Sequence, residues 1–245
     1  MDRKKYKIKR FWEIDFLRGF AVIMMLVFHF FFDLNYFGFF SFDPYWFWKI
    51  FAYLIATIFI FLVGLSLTLS FSRAKKYKTK NELRIKYLVR GLKIFSLGLI
   101  ITFITWIFLK QGFIIFGILH FIGVSIILAY PFLKFKYLNF FLGIGFILIG
   151  LILQNFTFNF YYLLWLGFIP NYFYTLDYFP IFPWFGIILI GIFFGNSFYP
   201  EGKRVFNIKE FSNLFTKLFC FLGRHSLLIY LVHQPMLISF LIFVL

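Results

Sequence analysis

Four ionisable side chains, Asp15, Arg18, His29 and Asp33, fall within one apolar stretch near the start of the chain. A charge at the centre of a membrane helix costs about 3 kcal/mol on insertion scales, so such residues are functional hypotheses by default. Arg18 and His29 are eleven residues apart, about 1100° of helical rotation, which places them on one face about 16 Å apart along the axis. Asp33 follows His29 by one turn on the same stripe, within reach of its imidazole. A histidine with an in-line carboxylate is the arrangement of a general base and the group that fixes its tautomer. Two plainer readings stand beside this one. Asp15 and Arg18 form an i, i+3 pair at a helix start, and a membrane histidine can simply bond a neighbouring helix.

Three more histidines lie further on. His120 falls in an apolar stretch, and His233 sits mid-way along the last one, followed by Gln234 and by Pro235, which frees backbone carbonyls. His225, between Arg224 and Ser226, reads as a capping or interfacial residue. Asp177 precedes Pro180 and Pro183 and is the acid of a long aromatic segment.

The elements that must position these residues are membrane helices. Apolar residues make up 62% of 245 residues and charged residues 14%, which excludes an ordinary soluble domain. Mean hydropathy is +0.89. Seven apolar stretches of spanning length run about 15–33, 47–71, 87–109, 113–133, 137–154, 179–198 and 225–245. The segment 156–178 is broken by Pro170 and reads either as reentrant or interfacial, or as part of an eighth helix. The predicted fold is thus an all-α polytopic membrane protein, a bundle of about seven transmembrane helices with eight as the alternative. It forms one transmembrane domain over 1–245, with a basic cytoplasmic segment at 1–12 and no separate soluble domain. The first stretch lacks a small-residue cleavage site after it and reads as a retained helix.

Charge gives the orientation. With the N-terminus inside, twenty of the 25 Lys and Arg fall in inside segments and two, Lys49 and Lys110, outside; Arg18, Arg90 and Lys93 lie within spans. This asymmetry predicts an N-terminus in the cytoplasm and a C-terminus outside. It also explains the +16 net charge without nucleic acid, because the cations flank apolar spans and face lipid headgroups. One cysteine, Cys220, excludes an intramolecular disulfide. The 45 Phe match the enrichment in Ile, Tyr, Lys and Asn expected of an AT-rich coding sequence and carry no function by themselves.

The residues also carry a resemblance. Glu13-Ile14-Asp15-Phe16-Leu17-Arg18-Gly19 followed by His29 matches an Arg-x10-His signature of membrane acyltransferases. With His29-Phe30-Phe31-Phe32-Asp33, Gly117-Ile118-Leu119-His120, Asp177-Tyr178-Phe179-Pro180, Pro183-Trp184-Phe185-Gly186 and the run from Leu222 to Pro235, the chain resembles the acyltransferase-3 superfamily. It resembles the heparan-α-glucosaminide N-acetyltransferase catalytic family more closely, from about residue 11 onward.

The resemblance implies transfer of acetyl from cytosolic acetyl-CoA to a sugar or glycan hydroxyl or amine on the far side of the membrane. With the N-terminus inside, His29, Asp33, His120 and Asp177 all fall in the outer half, where a polar cluster reads as a site; these are the catalytic candidates, with His233 and Gln234 in support. Phosphate charge cannot enter hydrocarbon, so CoA is expected at the cytoplasmic mouth, on Arg84, Arg90 and Lys93 with Arg18 deeper. For Arg84 a plain positive-inside charge is the competing reading. Acetyl-CoA is the expected donor and no metal is expected. The expected setting is a multi-pass protein of the cell membrane, with a dimer as one option for its assembly. Heparan sulfate does not carry over, because the large lumenal domain of the lysosomal enzymes is missing. The segment Gly38 to Trp48 also lacks the loop histidine proposed there to carry acetyl. The competing class is a proton-coupled small-solute transporter using His29 and Asp33 as a relay. The basic asymmetry is checked by single cysteines at Ser41 and Lys78 in a chain lacking Cys220. They are expected to label from opposite sides of the membrane, and labelling from one side overturns the topology.

Overall fold

The computed structural model describes residues 10–41, 43–109, 111–209 and 213–244. Arg3, Lys4, Lys5, Lys7 and Lys9 of the basic N-terminal segment, and Lys110, lie outside the described residues. The described helices are α1 (Trp12–Tyr36), α2 (Tyr45–Ala74), α3 (Lys80–Leu109), α4 (Ile118–Ala129), α5 (Tyr137–Leu153), α6 (Ile181–Phe198), α7 (Leu214–Arg224) and α8 (Ser226–Val244). Among the described residues no strand forms, only two isolated bridges, Phe116 with Tyr178 and Phe158 with Pro170. Five helices, α1, α2, α3, α6 and α8, are long and apolar enough to cross a membrane, whereas α4 and α5 are apolar but shorter. This all-helical pattern follows from lipid as a solvent, because a helix satisfies its backbone donors and acceptors within itself.

Three stretches differ from the sequence expectation. The fourth stretch turns helical only at Ile118, because residues 113–117 are tied to the segment before α6. There Phe179 N–H donates to the Phe116 carbonyl at 3.0 Å and Leu176 N–H to that of Gly112 at 3.0 Å. The aromatic segment 156–178 contains no helix beyond a 3₁₀ turn at Leu164–Leu166, which removes the eighth-helix reading of it. The additional helix is α7, which the sequence reading left largely in a polar loop. Asn213 starts it, its side chain accepting from Thr216 N–H at 2.8 Å. His225 is a capping residue, as the sequence suggests: it ends α7, its Nδ1 2.9 Å from the Phe221 carbonyl, and its own carbonyl accepts from Ile229 N–H at 3.0 Å as α8 begins.

The chain divides into two compact units, Met1–Phe59 with Ile208–Leu245, and Ile60–Asn207, with the boundary inside α2. In the first, α1 packs on α7 through two glycines. A Cβ at Gly19 would collide with the Phe219 carbonyl, and one at Gly223 with the Asp15 carbonyl. Phe16 stacks on Phe219 beside this seam, with ring centroids 5.0 Å apart. Asp15 closes it electrostatically, 3.2 Å from Arg18 and 3.9 Å from Arg224.

The second unit repeats the device. Gly64 of α2 meets Gly191 of α6, Gly143 of α5 meets Gly186 of α6, and Gly91 of α3 meets Gly123 of α4. Helices in lipid gain no hydrophobic drive from meeting each other, so backbone approach at small residues supplies the contact. Thr79 and Glu82 form a reciprocal capping box that starts α3, with Glu82 N–H 3.3 Å from Thr79 Oγ1 and Thr79 N–H 2.8 Å from the Glu82 carboxylate.

Gly223→Ala should lower stability by about 1–3 kcal/mol, the usual cost of overpacking, because the obstacle is backbone that cannot rotate away. Gly145→Ala, whose Cβ meets nothing within 4 Å, is the control and should leave stability unchanged or raise it. Thermal unfolding of the detergent-purified variants reads both.

Candidate active site

Two groups of polar residues stand inside the helices, one in each unit. In the first unit, the C-terminal part of α1 carries His29 and Asp33, and α8 brings His233 and Gln234 to them. Gln234 Nε2 donates to Asp33 Oδ1 at 2.9 Å. The His29 and His233 rings meet edge to face with centroids 4.6 Å apart. Asp33 does not bond the His29 imidazole, contrary to the one-turn spacing; its Oδ1 is taken by Gln234, and His29 makes no hydrogen bond among the described residues. Helical spacing places two side chains on a stripe, but a partner arriving from another helix outcompetes the neighbour along it.

The chemistry of this cluster can be read atom by atom. Gln234 must turn its NH₂ toward the carboxylate, which leaves its Oε1 as an acceptor. His233 Nδ1 lies 2.6 Å from the Tyr230 carbonyl, so that nitrogen carries the proton. His29 Nδ1, Asp33 Oδ2, His233 Nε2 and Gln234 Oε1 are all buried without a hydrogen-bond partner. Asp33 and His233 are only 3% and 6% exposed. An unpartnered buried polar atom costs about 1–3 kcal/mol, so four of them together mark a place not built for stability. At least three of the four are acceptors, which suits a donor-rich group such as an amine or hydroxyl. Aromatic rings border it: Phe28 lies 5.4 Å from His29, and Trp48 and Phe51 lie 6.5 and 6.4 Å from Phe28.

The second group is satisfied. His120, at the third residue of α4, accepts from Gly117 N–H at Nδ1 (3.3 Å), and its Nε2 lies 3.3 Å from Thr102 Oγ1. That hydroxyl donates in turn to the Ile114 carbonyl at 2.6 Å. Phe95 and Phe116 pack on the ring, and a Cβ at Gly98 would lie 2.9 Å from its Nδ1. Asp177 Oδ2 accepts from Ile118 N–H at 3.0 Å, which places its charge at the N-terminus of α4. Both residues therefore hold the first turn of α4.

The cations divide as well. Arg18 is engaged with Asp15, and its Nη1 lies 3.5 Å from the Gly223 carbonyl, as the i, i+3 reading expects. Arg84, Arg90 and Lys93 are exposed on α3 and form no hydrogen bond or ion pair among the described residues. Their chemistry fits phosphate groups, since each offers donors that no protein acceptor occupies.

These features define a helical membrane protein with a buried, acceptor-rich histidine site. Residues 10–235 match the family described as heparan-alpha-glucosaminide N-acetyltransferase, catalytic, and the chain belongs to that family. It is therefore a membrane acyltransferase by family. No curated protein and no solved structure matches it. The placement that spacing along the chain does not give is that of His233 and Gln234 against α1. Their signal was a His-Gln pair at mid-span, immediately before the proline.

Asp177 lies outside the helices, and burial raises its carboxyl from 3.8 to about 6, the Ile118 N–H opposing. Between these values the folded chain holds a proton that the unfolded chain has lost. Stability should therefore fall as pH rises from about 4 to about 6, and the loss is complete above that. Asp177→Asn, which keeps an acceptor for Ile118, should flatten this part of the profile of melting temperature against pH.

Proposed function

We propose that the protein transfers acetyl from cytosolic acetyl-CoA to an amine or hydroxyl of a sugar or glycan on the outer side of the cell membrane. The observation that supports this reading most is the group of four unpartnered polar atoms on His29, Asp33, His233 and Gln234, in a chain of this acetyltransferase family. The related acyltransferase-3 signature of Arg18 and His29 adds to it. When bound, acetyl-CoA supplies an activated acetyl thioester whose thiolate leaves readily.

The chain's own residues supply the rest. Arg84, Arg90 and Lys93 hold phosphate at the cytoplasmic mouth, and Arg18, anchored by Asp15, adds positive charge on the His29 face of α1. Asp33 and Gln234 bind the donor hydrogens of the acceptor and orient it. His29 stands at the reacting centre as its base or acyl-handling residue. His120 and Asp177 serve by fixing the first turn of α4.

The test is acetyl transfer from labelled acetyl-CoA to a panel of amino sugars and neutral sugars by detergent-purified protein. His29→Ala should keep acetyl-CoA binding and lose about 10²–10⁴ in turnover. Near-normal turnover in His29→Ala removes that residue from the mechanism. Proton-coupled solute flux by a wild-type protein that transfers no acetyl favours the transporter reading instead.

A further inference from the structure

We infer that His233 is the proton acceptor of the transfer, taking the proton of the acceptor amine or hydroxyl on its Nε2, with His29 beside it positioning the acetyl group without bonding to it. This rests on the acetyl-transfer reading above and assigns the two histidines of that site different work. A carbonyl oxygen only accepts, so the 2.6 Å contact to Tyr230 fixes the proton of His233 on Nδ1. In the neutral ring Nε2 is then a bare lone pair, and it is buried and unpartnered. An orienting acceptor behind one nitrogen and a free lone pair at the other is the logic of a catalytic base, with a backbone carbonyl in the place a carboxylate takes in hydrolase triads.

His29 lacks this preparation. No acceptor holds either of its nitrogens, and the carboxylate one turn away is bonded to Gln234 instead. The ring of His29 lies edge to face against that of His233, so a group bound beside the pair meets both. The His233 ring faces His29 on α1 and Tyr230 on its own helix, and Asp33 of α1 is bonded to the adjacent Gln234. Pro235 has no N–H for the Leu231 carbonyl, which loosens the helix at the turn that presents His233 and Gln234.

The lone pair of the acceptor nitrogen or oxygen forms a bond to the acetyl carbonyl carbon, and the carbon–sulfur bond breaks with its electrons staying on the CoA sulfur. The proton displaced from the acceptor passes to His233 Nε2 and from there to the thiolate, which regenerates the neutral histidine.

The decisive variant is His233→Asn, whose amide N–H overlies Nδ1 and keeps the bond to Tyr230 while removing the Nε2 lone pair. In the full chain, with an acceptor that the wild type acetylates, turnover should fall by about 10²–10⁴ with acetyl-CoA binding retained. The limb of the pH–rate profile that rises with pH should disappear, and added imidazole should restore part of the rate. Turnover near that of the wild type, or a rising limb that survives, overturns the assignment. Should His233→Asn fail to fold, ¹⁵N NMR of histidine-labelled wild type decides: a neutral ring protonated at Nδ1 supports the inference and one protonated at Nε2 overturns it. A wild type that transfers nothing removes the proposed function, and this inference with it. A transferring wild type with an unaffected His233→Asn variant removes the inference alone.

Discussion

Close approach of helices at glycine is the constraint on which the rest of this structure depends. In lipid, apolar side chains gain nothing by leaving the solvent for one another, so helices associate where their backbones can touch. Gly19 and Gly223 let α1 and α7 meet carbonyl to Cα, and Gly91 and Gly123 do the same for α3 and α4. The buried polar side chains ride on these helices. His29 and Asp33 stand on the α1 that the first seam holds, and His120 stands on the α4 that the second holds, its ring seated on Gly98. The large aromatic content fills the space around these contacts without specifying them.

The two buried histidine groups differ in how completely their hydrogen bonds are made. His120 spends both ring nitrogens on Gly117 and Thr102, and Thr102 passes its own proton to a carbonyl, so the network is closed. His233 spends one nitrogen on Tyr230 and keeps the other. Burial is similar at the two, 2% and 6% exposed, and so does not tell them apart. What differs is the count of lone pairs left over in a low-dielectric place, where leaving one unused is costly.

Charge follows the same division. Arg18 is held by Asp15 next to the α1–α7 seam, so part of its charge serves packing. Arg84, Arg90 and Lys93 of α3 are exposed and form no hydrogen bond or ion pair among the described residues.

The sequence by itself determined that the chain is helical and built for a membrane, because length and hydropathy alone decide whether a segment satisfies its backbone in lipid. It also determined that α1 carries Arg18, His29 and Asp33 on one face, since that spacing is a property of the helix. Two things were beyond it. The α7 helix hid in a stretch too short and too polar to register as a span, although Asn213 and Thr216 carry its capping signal. The pairing inside the site was beyond it as well. Periodicity puts Asp33 below His29, yet which acceptor a carboxylate finds is settled by the helix that arrives from two hundred residues away. Only the packing of α8 brings Gln234 to Asp33 and His233 to His29, because hydrogen bonds are directional and short and no one-dimensional pattern records which helix faces which.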